Sequence, residues 1–264
     1  MIRGRTEPLL LFVRIVLVMF IVTPLAVIML SSLTEGSIPE FPPSSWSFKW
    51  YSHVLSQPIF ITAAWNSLLL ALLATTINAP LAIMSAFAIT RGRFPGHEAV
   101  QTFLMSPLIV PAVVTGIAIL LSFTQFGWRN TMSRLIFAHI IITLPYLIRT
   151  VIAALTRIDP STEEAAMTLG ATPIKTFLLI TLPQIMPGII AGGLFAFIIS
   201  FDNVSVSLFL STAKFSTLPI VVLGYVEFNM DPSIAALSTL LILLTTLMAL
   251  FIEHLAGLRN TLGS

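Results

Sequence analysis

Long apolar runs separated by short polar stretches set the pattern of this chain. Six such runs stand out: Leu9–Leu30, Thr62–Thr90, Ala99–Thr124, Arg134–Leu155, Met186–Leu210 and Ser233–Leu255. Each exceeds or approaches the roughly 20 residues that an α-helix needs to cross the hydrocarbon layer. Backbone polar groups in lipid must be paired within their own segment, so helices are the expected form of all six. The basic start, Arg3 and Arg5, followed by Leu9–Leu30, raises a signal peptide as an alternative. The run is longer than a signal core of about 7–15 residues, and no small-residue cleavage site follows it, which favours a retained helix. The pattern predicts an all-α, polytopic membrane protein with six transmembrane helices.

Polar and proline-rich stretches mark the divisions. Residues 31–61 carry Glu35, Pro39, Pro42, Pro43, Trp46, Trp50 and Tyr51. Pro blocks a helix through the first half, and the aromatics suit headgroup level. Residues 1–61 are therefore expected to form a first helix with its outer loop. A five-helix core follows over 62–255, interrupted by a polar connector at 159–183, and residues 256–264 form a tail. Asn66, Asn78 and Pro80 interrupt the second run and are expected to face other helices. Pro107, Pro111 and Gly116 lie inside the third, where a packing kink is favoured over pore lining. Gly188, Gly192 and Gly193 open the fifth and permit close helix contact. Leu218–Phe228 is apolar but too short to span, and reads as an interfacial or re-entrant helix.

Composition narrows the class. Of 264 residues, 56% are hydrophobic and only 9% charged, against roughly 25% charged in soluble domains. The mean hydropathy is +0.99. A net charge of +2 gives no support for nucleic-acid binding. With no Cys there are no disulfides or thiolate sites, and His53, His97, His139 and His254 lack metal-ligand spacing. No phosphate-binding GxxxxGK[ST] loop occurs, so any ATP is held by another chain. Six spans put both termini on one side. Arg3, Arg5, Arg14, Arg91, Arg93, Arg149, Arg157, Lys175 and Arg259 fall on that side; Lys49, Arg129, Arg134 and Lys214 fall on the other. The excess of Lys and Arg places the termini in the cytoplasm.

The longest interruption that faces this same side is Glu164–Pro183, EAAMTLGATPIKTFLLITLP. It reads as two short helices with a sharp corner. Ser161 and Glu164 stand in capping-box spacing, and Pro160 suits a first helical turn. Gly170 suits the left-handed residue after a helix. Thr172-Pro173 repeats the start signal, and Leu182-Pro183 closes the segment. Taken alone this is an ordinary polar connector. The spacing adds more: Glu164-Ala165-Ala166, Gly170 four residues later, then Ile180-Thr181-Leu182-Pro183 matches an EAA–G–I-x-LP signature without a gap. The chain therefore resembles the permease subunits of binding-protein-dependent ABC importers of type I. The resemblance implies that Glu163, Glu164, Ala165, Ala166, Gly170, Leu182 and Pro183 couple the subunit to an ATPase. The small Ala pair suits close approach of another surface.

Asp202 is the acidic residue that these limits place clearly inside a hydrophobic run. A charge there costs about 2.5–3.5 kcal/mol on insertion scales, so it should face water or the bundle interior. Ser200, Phe201, Asp202, Asn203 and Ser205 are the candidate solute-path residues. The competing reading is structural, with Arg134 as the partner at suitable depth. Phe201 and Phe209 suit either an apolar gate or simple packing. The run SFDNVSVSLFL, with Leu218-Pro219 after it, resembles the PotC-type permeases of spermidine/putrescine importers. That likeness implies a polyamine or related small organic solute; opine, phosphonate, thiamine and ferric-iron permeases are similar alternatives. It also implies a bacterial inner-membrane location, two ATP-binding partner subunits carrying ATP and Mg, a second homologous permease subunit and an extracytoplasmic binding protein. No cofactor or metal is expected on this chain, and no enzymatic activity. An ion-coupled secondary transporter is the alternative from another class, but it needs several intramembrane ionisable groups.

Overall fold

A computed structural model describes residues 3–92 and 94–261. Arg93 and residues 262–264, both included in the expectations above, lie outside them. So do the side chains of Arg3, Arg5 and Arg259. Among the described residues the regular elements are helices, apart from the isolated bridges Thr34–Trp46 and Thr212–Phe215. In chain order they are α1 Arg3–Ser31, α2 Lys49–Ser56, α3 Pro58–Arg91, α4 His97–Met105, α5 Ala112–Gln125, α6 Thr131–Leu155, α7 Pro160–Thr168, α8 Pro173–Thr176, α9 Leu182–Phe201, α10 Ser207–Leu210, α11 Leu218–Phe228 and α12 Ser233–Thr261. A 3-10 turn at Ser106–Leu108 follows α4, and a π turn at Phe177–Thr181 joins α8 to α9. Among the described residues five helices are long and apolar enough to cross a membrane, six when the bent pair of α4 and α5 is counted as one span.

Three expectations about the spans need correction. The kink expected in the third is a full break: α4 with its 3-10 turn meets α5 at 103°. Pro107 and Pro111 sit at the break, where each removes an amide donor and its ring crowds the carbonyl four residues back in a helix. The break is more than a kink. Pro107 and Val110 line a cleft of about 350 Å³ together with Val114, Ala118 and Phe137. The fifth span ends at Phe201 rather than Leu210. There the Asn203 side chain accepts the Val206 amide at 2.9 Å, holding the chain in a turn that competes with the helix. Finally, Leu182-Pro183 does not close anything. The helix runs through it from Pro173 to Phe201. The π turn, in which the Leu182 amide donates to the Phe177 carbonyl, shifts the ladder just before Pro183, whose ring would otherwise oppose it.

The described chain divides into two compact units, Met1–Ile61 with Val222–Thr246 and Thr62–Val221 with Leu247–Ser264. In the first, the loop after α1 folds back on itself: Glu35 N–H donates to Ser45 and Ser47 N–H to Leu33. The Trp50 indole donates to the Gly36 carbonyl at 3.1 Å, and Phe60 packs edge-on against Tyr225. In the second, α6 and α9 form the main helix pair. Leu147, Ile148, Val151 and Leu155 of α6 pack with Ala82 and Ala86 of α3 and Ile185 and Ala196 of α9. Gly188 and Gly192 make this contact close. A Cβ at Gly188 would lie 2.6 Å from the Ala154 Cβ, and one at Gly192 would overlap Thr150. Asn78 faces another helix as expected, donating to the Thr143 hydroxyl at 2.7 Å and the Ile140 carbonyl at 3.2 Å. Asn66 reaches the Ser216 carbonyl at 3.1 Å.

Candidate functional site

The segment between α6 and α9 is built from local signals. Asp159 caps α7: its carboxylate accepts the Ser161 amide at 2.9 Å, and Pro160 sits in the first turn. Hydrogen bonding from Ser161 holds the Asp159 carboxyl below its ordinary value. This corrects the capping-box expectation, because Asp159 rather than Ser161 is the cap and Glu164 does not reach back. The same Asp-Pro-Ser arrangement starts α12, where Asp231 accepts the Ser233 amide at 2.9 Å. Burial pushes the Asp231 carboxyl up, but hydrogen bonds from Ser233 and Tyr225 and the nearby His53 outweigh it and leave it lowered. At the far end of α7 the Ala171 amide reaches the Ala166 carbonyl and the Gly170 amide reaches Met167, each at 3.0 Å. These are the paired bonds of a Schellman closure, and Gly170 supplies its left-handed residue with φ +92°. The Thr172 hydroxyl then accepts the Lys175 amide at 3.4 Å to start α8.

The seven residues expected to act in coupling are not equivalent. Glu164 and Ala165 are exposed and Ala166 is partly so. Around them Met167, Leu169 (89% exposed) and Ile174 present apolar side chains outward. Glu163 turns the other way. It pairs with Arg91, its Oε2 3.6 Å from the guanidinium Nε, and accepts the Thr181 hydroxyl at 2.8 Å. Among the described residues this is the only ion pair. Gly170 sits at the corner, and Leu182 and Pro183 belong to the continuing α9 helix.

The five expected path residues also separate. Ser200 and Phe201 are buried, and Phe201 stacks on Phe197 with centroids 5.9 Å apart. Asn203 is committed to its turn, and Ser205 is partly buried with its carbonyl near Gly116 of α5. Asp202 stands at the end of α9, exposed, and not within a helix. It forms no ion pair with Arg134. His139, not expected to matter, joins this region. Its Nδ1 lies 2.7 Å from the Ser200 hydroxyl and its Nε2 3.1 Å from that of Ser207. The ring, fully buried, thus fastens α6 to both sides of the Asp202 turn. A His among apolar neighbours at one-turn spacing from Leu135 and Thr143 was the available signal. No group of His, Cys, Asp and Glu among the described residues has the arrangement of a metal site.

An apolar bundle with a capped, outward-facing elbow between its two closest helices has known counterparts. Residues 78–258 match the family described as binding-protein-dependent transport system inner membrane component. The chain belongs to that family. Its members are the permease subunits of ABC importers that work with a binding protein, and this chain is one of them. It is 35% identical over 230 residues to the putrescine transport system permease protein PotI of Escherichia coli (strain K12), covering 84% of this chain and 82% of that one. It is 32% identical over 204 residues to the spermidine/putrescine transport system permease protein PotC of Haemophilus influenzae, covering 76% and 79%. In fold it resembles a bacterial ABC transporter that imports alginate, with a TM-score of 0.73 at 16% identity over 96% of this chain and 99% of that one. An amino acid ABC transporter is similar at TM-score 0.62 and 20% identity, covering 79% and 97%. The expected all-α, multi-pass importer permease fold is therefore borne out.

Proposed function

We propose that this permease subunit forms half of the translocation path for putrescine or a related polyamine. The solute is delivered by an extracytoplasmic binding protein. A second, homologous permease subunit supplies the other half of the path, and two partner subunits bind ATP and Mg and hydrolyse the ATP. Both termini and the 159–183 segment lie on the cytoplasmic side of a bacterial inner membrane, as the distribution of Lys and Arg favours. The 159–183 segment is the coupling element. The observation that carries this reading is the outward apolar face of Met167, Leu169 and Ile174 beside exposed Glu164 and Ala165, on an elbow closed by Gly170. Such a face is costly to leave in water and suits docking on a protein surface.

Within the path, Asp202 is the acid available to a cationic solute. Its carboxylate makes no hydrogen bond or ion pair among the described residues, and a carboxylate attracts an ammonium group strongly where water is partly excluded. The likeness to polyamine permeases points the same way. The test is uptake of labelled putrescine by cells expressing the complete importer, with a panel of opine, phosphonate, thiamine and ferric-iron competitors. Putrescine uptake that Asp202→Asn reduces and Asp202→Glu retains supports the reading. Uptake of another solute from the panel, untouched by putrescine, overturns the substrate assignment. Uptake that follows the proton gradient rather than ATP overturns the importer energetics.

A further inference from the structure

The Arg91–Glu163 contact joins an element that the chain's covalent path leaves out. A displacement of the 159–183 segment passes directly into α6 and α9, because it is continuous with both. It has no such route into α3. Yet α3 ends on the segment. Arg91, its last residue, lies 3.6 Å from Glu163 of α7 through Nε, and its Nη2 donates to the Ile158 carbonyl at 3.3 Å, on the connector just before α7. Glu163 in turn accepts the hydroxyl of Thr181, which is 1% exposed in the π turn. One turn before Arg91 on the same face of α3, Phe87 packs edge-on against Phe177 of that π turn, centroids 5.4 Å apart. Thr181 would ordinarily bond back to a carbonyl of its own helix; here it bonds across to α7. The pair is largely shielded, with 25% and 14% of the two side chains exposed. The guanidinium is a rigid planar fork, so with Nη2 bonded to the Ile158 carbonyl its Nε is held facing the Glu163 carboxylate as an ion pair without a hydrogen bond.

We infer that Arg91 and Glu163 are a positioning pair that makes the cytoplasmic end of α3 move with the coupling segment, so that the motor stroke loads a third helix. This rests on the coupling reading above. The chain has no Cys, so single reporters can be placed cleanly. Met84 of α3 and Phe195 of α9 are exposed and lie outside the contact. The assembled importer carries an environment-sensitive thiol label at Met84→Cys or, separately, at Phe195→Cys. Emission is compared before and after trapping the ATPase subunits with ATP and vanadate.

Both labels shift in the otherwise unchanged importer. With Arg91→Ala or Glu163→Gln the α3 shift falls at least threefold while the α9 shift stays within a third of its original size. The charge-swapped pair Arg91→Glu with Glu163→Arg recovers at least half of the α3 shift. A brace that serves folding alone leaves both shifts intact in every variant that assembles, which overturns the inference. Equal loss of both shifts in Arg91→Ala overturns it as well, since the contact would then act on the whole subunit. Failure of the swap to recover the shift overturns the assignment to the pair. If neither label responds in the otherwise unchanged importer, the coupling reading itself fails, and that result is distinct from the others.

Discussion

Gly188 and Gly193 lie five residues apart on α9 and meet different surroundings. A Cβ at Gly188 would lie 2.6 Å from the Ala154 Cβ and 2.9 Å from the Thr150 carbonyl oxygen, both on α6. Ordinary contact begins at 3.4 Å, so Gly188→Ala requires a movement of 3.4 − 2.6, or at least 0.8 Å. One of the obstructing atoms is backbone, so the helices themselves must part. At Gly193 the nearest atom is the Thr75 Cγ2 at 3.6 Å, an ordinary contact. Both substitutions gain the same helix-propensity term, about 1 kcal/mol. That term cancels in the comparison and leaves the overlap, about 1–3 kcal/mol for an added methyl in a tight core. At roughly 2–4 °C per kcal/mol for a chain of this size, Gly188→Ala should melt about 2–12 °C below Gly193→Ala. Tryptophan fluorescence during heating of the purified subunit in detergent reads the difference. Equal melting temperatures, or a higher one for Gly188→Ala, would refute the claim that α6 and α9 meet through Gly188.

Three more predictions follow from other parts of the chain. Gly170→Val places a β-branched residue at φ +92°, a conformation that costs about 1–2 kcal/mol for an L side chain; the importer should insert and hydrolyse ATP yet lose most uptake, and normal uptake by this variant would remove the coupling role. His139→Ala strips partners from the buried Ser200 and Ser207 hydroxyls, at about 1–3 kcal/mol each; its melting temperature should fall well below that of His139→Asn, and matching values would show that the hydroxyls find other partners. Because Asp159 has its carboxyl held below the ordinary value, its support of α7 is complete above that ordinary value and fades as the pH falls through the lowered one; amide exchange at Ser161, corrected for intrinsic pH dependence, should rise on acidification and be pH-flat in Asp159→Ala.

Much of this was legible in the sequence because lipid leaves few choices. Spans, their order and the outward elbow followed from run length, proline placement and the EAA–G–I-x-LP spacing. Gly170 was readable because a left-handed residue after a helix has one preferred occupant. The misreadings share a cause. Hydropathy reports burial but not direction, so it gave the third span as one kinked helix through Pro107 and Pro111 and carried the fifth past Asp202 to Leu210. Asp202 and Asn203 are the helix stop, a signal masked by the apolar residues on either side. The cap of α7 was misplaced by one favoured pattern, Ser161 with Glu164, over another, Asp159-Pro160-Ser161, that recurs at Asp231-Pro232-Ser233. His139, inside an apolar run, and Arg91, at the end of one, were legible only as isolated polar residues. Their partners, Ser200, Ser207, Glu163 and Thr181, are distant in sequence, and no local pattern announces such pairs.

The central claim is that a cytoplasmic elbow receives force from a separate ATPase subunit. The most direct measurement places a cross-linker at Met167→Cys, on the outward face of α7 in a chain that otherwise has no Cys. In membranes holding the whole importer, the cross-link should join this subunit to the ATP-hydrolysing subunit, and its yield should change between nucleotide-free and vanadate-trapped complexes. Labelling of Met167→Cys by a membrane-impermeant maleimide added outside intact cells, with no cross-link to the ATPase subunit, would contradict the account.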